Sequence, residues 1–88
     1  MIQQEVEIQN KLGMHARPAA LFVQTASKFK SDVYLRRGEH EVNGKSIMGV
    51  MMLAAEMGSK VVITANGADE SEAIAALLAV VNNKFNED

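Results

Sequence analysis

The chain has 88 residues, 48% of them apolar, a formal net charge of −2 and no cysteine. That length sets one domain spanning 1–88 as the expectation, with a core that buries about 60–65% of the unfolded surface and no deep pocket. The charge excludes an electrostatic nucleic-acid binder, and the missing thiols exclude disulfides, zinc-thiolate sites and thiol chemistry, which fits a cytoplasmic protein.

Residues 1–5 carry no basic run leading into an apolar one, so no signal peptide is expected. No apolar stretch, residues 50–55 included, is long enough for membrane insertion. Val6 and Ile8 alternate with Glu5, Glu7 and Gln9, the pattern of a half-buried strand. Residues 10–14 read as a loop. A helix follows over about 16–29, with Ala19, Phe22, Val23 and Ala26 at i, i+3, i+4 and i+7 on its inward face. Lys28 and Lys30 sit near its C-terminal end, where the dipole favours them.

A second strand spans 32–37, with Val33 and Leu35 on one face and Tyr34 and Arg36 on the other. A turn at Gly38-Glu39 leads to a short strand over 40–42, and Asn43-Gly44 turns the chain again. Ser46 reads as the N-cap of a short helix from Ile47 to about Leu53, with Gly58 as a terminator after Glu56-Met57. Residues 60–65 form a fourth strand, β-branched at Val61, Val62, Ile63 and Thr64. After Asn66-Gly67, Asp69 and Glu72 have capping-box spacing and open a third helix with Ile74, Leu77, Leu78 and Val81 on one stripe.

The order is βαββαβα. Four strands with one apolar face and three amphipathic helices give an α+β fold: a four-stranded, mostly antiparallel sheet with the helices on one side. The other face is expected to be wet and to carry Glu5, Glu7, Tyr34 and Arg36.

The chemistry concentrates in Leu12-Gly13-Met14-His15-Ala16-Arg17-Pro18-Ala19-Ala20. Proline is tolerated in a first helical turn, so a helix begins here, and its free N–H groups favour negative charge. A free histidine titrates near about pH 6.5, so at neutral pH much of it is neutral and nucleophilic. A ring nitrogen can attack phosphorus directly, and the phosphoramidate formed stays reactive enough to pass the group on. Arg17 supplies a permanent cation that can present two parallel donors to phosphate oxygens. Pro18 biases Arg17 away from helical dihedrals, so Arg17 either caps the helix or takes some strain inside its first turn.

Residues 10–19 resemble the active-site segment of the HPr family, the histidine phosphocarriers of the phosphoenolpyruvate-dependent phosphotransferase system. Val23-Gln24-Thr25-Ala26-Ser27-Lys28-Phe29 and Lys45-Ser46-Ile47-Met48-Gly49-Val50-Met51 resemble HPr segments as well, and the likeness covers nearly the whole chain. It implies an open-faced β-sandwich in which Enzyme I phosphorylates His15 on Nδ1. His15 then donates to an enzyme IIA domain, with Arg17 assisting both transfers. The carrier it implies is a reactant and not a stand-alone enzyme, needs no cofactor or metal, and is expected to be monomeric. The lead-in Ile8-Gln9-Asn10-Lys11-Leu12 and the ending Phe85-Asn86-Glu87-Asp88 resemble NPr, the nitrogen-branch relative. The Ser46 region resembles the sugar-branch HPr of Gram-positive bacteria, so the branch stays open.

As a cap, Ser46 needs no further role. The resemblance adds one: phosphorylation by a dedicated ATP-dependent kinase/phosphorylase, placing about −1.5 to −2 charges at a helix N-terminus. In the short helix, Ile47, Val50, Met51 and Ala54 form one stripe and Met48 and Met52 another, and a two-layer domain buries only one of them well. The methionines either fill core gaps or form an exposed docking patch. The resemblance assigns partner binding to Ile47, Met48 and Met51, and to Ala20 beside the His15 segment.

Other motifs fail. Gly44-Lys45-Ser46 ends like a P-loop, but the required earlier glycine position is Glu39. His40 has no metal-ligand spacing to His15. Two rivals to the carrier stand: a regulatory binding module switched at Ser46, and a small enzyme using His15 as general base, which lacks a second catalytic group nearby in sequence.

Overall fold

Val6, Val33, Leu35, Val61, Ile63 and Ala65 are all buried, and each alternates along its strand with side chains pointing the other way. That period-two pattern fixes one apolar face, and everything that covers it follows from the helices' own stripes. The computed structural model describes residues 1–87. The elements are β1 (Ile2–Glu7), α1 (Ala16–Ala26), β2 (Asp32–Arg37), β3 (His40–Asn43), α2 (Ile47–Met52), β4 (Lys60–Asn66) and α3 (Glu70–Asn82), with a tight turn at Lys84–Asn86.

The strands lie in the order β1-β4-β2-β3, every neighbouring pair antiparallel. β4 therefore inserts between β1 and β2, and β2 between β3 and β4. Each helical crossover joins two parallel strands that have a third strand between them, so two split βαβ units interlock. Ile63 faces Gln4 on one side and Leu35 on the other, and the inner residues of the two central strands are fully covered. Phe22 of α1, Val50 of α2 and Leu77 of α3 are also fully buried, so the three helices share one core on one face of the sheet. The open face carries Glu5 and Glu7 on β1 and Tyr34 and Arg36 on β2, as the alternation predicts.

Four local expectations need correction. Helix α1 ends at Ala26, not near Phe29. The N–H groups of Lys28 and Phe29 tighten onto the carbonyls of Thr25 and Ala26, and the Asp69 carboxylate then takes the N–H groups of Lys30 and Ser31. The chain is drawn off the helix axis, and Lys28 and Lys30 fall outside the helix.

The capping box does not form, because Asp69 is engaged with Ser31 and Lys30. Glu70 reaches back instead, its Oε1 accepting from the Gly67 N–H at 3.1 Å. Gly67 has no room for a side chain: a Cβ would lie 2.6 Å from Ser31 Oγ. Gly58 is not a helix terminator. It lies in the turn entering β4, donating to the Ile8 carbonyl, while α2 has already ended at Met52. Finally, Ala54 leaves the α2 stripe: it is exposed, with φ 51°.

Candidate functional site around His15

Gly13 is required twice over in the loop that leads into α1. Its φ is 66°, and a Cβ there would collide with the Ala55 carbonyl oxygen. The next N–H, that of Met14, donates to that carbonyl at 2.8 Å, and the Met14 side chain is buried. The loop is thereby clamped to the segment leaving α2, and His15 emerges from a fixed backbone.

His15 is the N-cap of α1, extended at φ −80° and ψ −172°, and its carbonyl accepts the first helical bond from Ala19 at 3.0 Å. Ala16, Arg17 and Pro18 occupy the first turn. Arg17 is thus inside the helix and not its cap, which settles the alternative the sequence leaves open. Pro18, at the third helical position, lacks an N–H that has no intrahelical partner there, and its ring is buried.

The His15 side chain makes no capping bond and is 36% exposed. Nε2 lies 3.0 Å from Glu87 Oε1. Nδ1 has no hydrogen-bond partner among the described residues, which leaves it open to a ligand. The guanidinium of Arg17 is exposed and likewise unbonded among the described residues.

Glu87 and Asn10 were not among the residues singled out by the sequence. Glu87 Oε1 accepts from His15 and also from Asn10 Nδ2 at 2.8 Å, and the other Asn10 amide proton goes to the Gly13 carbonyl at 2.7 Å. Asn10 is fully buried. The His15 hydrogen bond, then that of Asn10, hold the Glu87 carboxyl below the usual carboxylate range, so it is ionised at neutral pH. These partners lie 72 and 77 residues apart in the chain, and no local pattern joins them. The one available local sign is an asparagine opening the loop three residues before Gly13, a residue type suited to bonding nearby backbone.

Ala20 is half-buried and lines a shallow cleft of about 310 Å³ with Arg17, Leu21, Gln24, Phe85 and Asn86. Ser46, Ile47, Met48 and Met51 lie on the second helix, which packs against α1. Ser46 is the N-cap, its Oγ accepting from the Gly49 N–H at 3.1 Å. The stripe question is resolved by burial: Val50 is fully covered, whereas Met48 and Met52 are 70% and 77% exposed, and Ile47 and Met51 are exposed as well. Among the described residues no hydrogen bond joins this group to His15. His40 is exposed on β3, beside a separate cavity of about 590 Å³ lined by none of the residues around His15.

A charged, ionised partner on one ring nitrogen, an open second nitrogen, unpaired helix N–H groups and a free guanidinium together suit a phosphoryl group at Nδ1. The family model described as "PTS HPr component phosphorylation site" matches residues 2–83. The chain is 52% identical to phosphocarrier protein HPr of Neisseria meningitidis serogroup A over 99% of this chain and 98% of that one. It is 51% identical to the HPr-like protein Crh of Bacillus subtilis over 96% of this chain and 99% of that one. The crystal structure of HPr-C-His from Thermoanaerobacter tengcongensis superposes with a TM-score of 0.96 at 51% identity, covering 100% of this chain and 99% of that one. An HPr dimer from the same organism superposes at 0.80 with 52% identity, covering 99% and 100%.

Proposed function

The chain belongs to the PTS-HPr family and is a phosphocarrier of the phosphotransferase system, and on that premise we propose that His15 is the residue that carries the phosphoryl group. Enzyme I is the donor and an enzyme IIA domain the acceptor. The His15 Nδ1 lone pair forms the new N–P bond as the donor's own bond to phosphorus breaks, the electron pair of that bond returning to the donor. Arg17 neutralises the phosphoryl oxygens during both transfers. The observation that supports this reading above the others is the ring itself: half-exposed at an uncapped helix start, with one nitrogen held and the other open.

The acting unit is a single cytoplasmic domain that works as a monomer and is regenerated with each relay, needing no cofactor. No helix among the described residues is long and apolar enough to cross a membrane. Ile47, Met48, Met51 and Ala20 form the surface that both partners meet in turn, and methionines suit a surface that must repack for two proteins. Met48→Glu is expected to weaken Enzyme I binding by about tenfold while changing stability by no more than about 0.5 kcal/mol, because the side chain is exposed. Calorimetric titration beside a denaturant melt tests this, and a larger loss in folding than in binding defeats the docking role.

The decisive assay incubates the protein with Enzyme I and phosphoenolpyruvate. Acid-labile, alkali-stable phosphate is expected, and His15→Ala abolishes it. A second reading draws on the similarity to Crh, nearly equal to that with HPr: a regulatory module phosphorylated on Ser46 by a kinase/phosphorylase. That reading predicts phosphate taken up only from ATP, in an acid-stable ester.

A further inference from the structure

We propose that Glu87, supported by Asn10, is a positioning residue that fixes which nitrogen of His15 is the nucleophile and balances the charge created there. The proposal rests on His15 being the phosphoryl acceptor.

An ionised carboxylate can only accept hydrogen bonds. The 3.0 Å contact between Glu87 Oε1 and His15 Nε2 therefore requires the hydrogen on Nε2. In a neutral imidazole that leaves the lone pair on Nδ1, the nitrogen with no partner among the described residues. The same Glu87 oxygen is held from behind by Asn10 Nδ2 at 2.8 Å. Asn10 is itself immobilised, fully buried and bonded to the Gly13 carbonyl of the active-site loop. The carboxylate is thus referenced to the loop that sets the His15 backbone. It also feels the attractive field of Arg17.

The backbone that delivers Glu87 is costly. Lys84, Phe85 and Asn86 are consecutive non-glycine residues with φ of 54°, 55° and 60°. L-residues avoid this left-handed region, and such conformations persist where the surroundings over-determine them. Here the turn drops Phe85 into the core and returns the chain so that Glu87 reaches His15.

The charge balance extends the role from orientation to transfer. When Nδ1 bonds to phosphorus and the donor's bond to phosphorus breaks, no proton leaves the acceptor ring. The ring keeps its Nε2 hydrogen and becomes a cation next to the Glu87 carboxylate. When the phosphoryl group departs, the electron pair returns to Nδ1 and the ring is neutral again. A carboxylate that holds a histidine tautomer and offsets its cationic form has the same logic as the aspartate of a Ser-His-Asp triad.

The test uses the full chain with ¹⁵N-labelled histidine, as wild type, Glu87→Ala and Glu87→Gln. Nitrogen chemical shifts of the neutral ring report the tautomer, a readout that mere anchoring of the chain would not move. The wild type is expected to show Nε2–H alone, and Glu87→Ala to shift toward the mixture of a free imidazole. Glu87→Gln keeps the tautomer, because a single amide oxygen can accept from both His15 and Asn10. It nonetheless takes up phosphate from phosphorylated Enzyme I about tenfold more slowly, the charge being gone. An unchanged tautomer in Glu87→Ala, or wild-type uptake in both variants, overturns the proposal. If the wild type itself takes up no acid-labile phosphate, the carrier reading falls, and the tautomer comparison alone then decides whether Glu87 orients the ring.

Discussion

Helices α1 and α2 lie against one another and begin by different means. Before α2, Ser46 turns its hydroxyl inward to accept from Gly49, which satisfies one of the helix's own free donors. Before α1, His15 leaves those donors alone and turns its ring to Glu87. The contrast follows from length and burial. A six-residue helix with a glycine inside it cannot hold itself together and needs its cap. An eleven-residue helix that buries Pro18, Ala19, Phe22, Val23, Thr25 and Ala26 is fixed by packing. It can leave its N-terminus free for an anion. The surfaces divide the same way: α1 gives most of its apolar side chains to the core, whereas α2 keeps only Val50 there and exposes four others.

The division is sharpest at Arg17. If the start of α1 is reserved for chemistry, Arg17→Ala slows phosphoryl uptake from Enzyme I by about a hundredfold, the scale of losing one charged group aimed at the transferring oxygens. Stability changes by less than about 0.5 kcal/mol, because the side chain is exposed. Rapid-quench transfer kinetics paired with urea unfolding measures both. A variant that unfolds readily yet transfers normally reverses the roles assigned to the two helix starts.

Ser46 is the complementary case. Ser46→Ala is expected to lose about 1 kcal/mol of stability, the usual cost of removing a cap, and to leave the intrinsic transfer rate unchanged. Ser46→Asp retains an acceptor for the Gly49 N–H and so keeps most of that stability, but adds negative charge beside the surface proposed for docking, which would disfavour an acidic partner, and is expected to slow transfer from Enzyme I. Equal transfer rates for serine and aspartate at this position remove the case for regulation here.

What could be read from the sequence tracks how local its cause is. Strand β2 was predicted to the residue, since Val33 and Leu35 against Tyr34 and Arg36 is a pattern within six positions. The start of α1 and the Ser46 cap were legible for the same reason: each depends on residues within one turn. The end of α1 was not, because it is set by Asp69 reaching Lys30 and Ser31 from 39 and 38 residues away. The strand order has no local signature either. At the site, His15 and Arg17 stood out from their own segment, whereas Glu87 and Asn10 become partners only when the fold closes. Asp69 with Glu72 shows the opposite error, a correct local spacing overridden by a stronger distant contact.

A third helix start completes the comparison and gives the smallest expected effect. Asp69 precedes α3, yet its carboxylate caps nothing in that helix; it holds the exit of α1. The Ser31 hydroxyl first, and then the Lys30 N–H, lower its pKa from 3.8 to about 2. A carboxyl group whose folded pKa lies below its unfolded one binds more protons in the unfolded chain between the two values. Its contribution to stability is therefore complete above about pH 4 and is lost as pH falls toward 2. Glu70 and Glu87 are shifted in the same direction, so the acid limb of the wild type sums several groups. The difference between wild type and Asp69→Asn isolates one of them. Denaturant melts at successive pH values should show Asp69→Asn weaker at neutral pH, flatter between pH 4 and 2, and converging on the wild type near pH 2. Ser31→Ala, which removes the largest cause of the shift, should raise the Asp69 midpoint, as read from its carboxyl carbon resonance. If wild type and Asp69→Asn instead lose stability in parallel down to pH 2, the carboxylate is a bystander. The early end of α1 would then have to be ascribed to the tight turns at Lys28 and Phe29 alone.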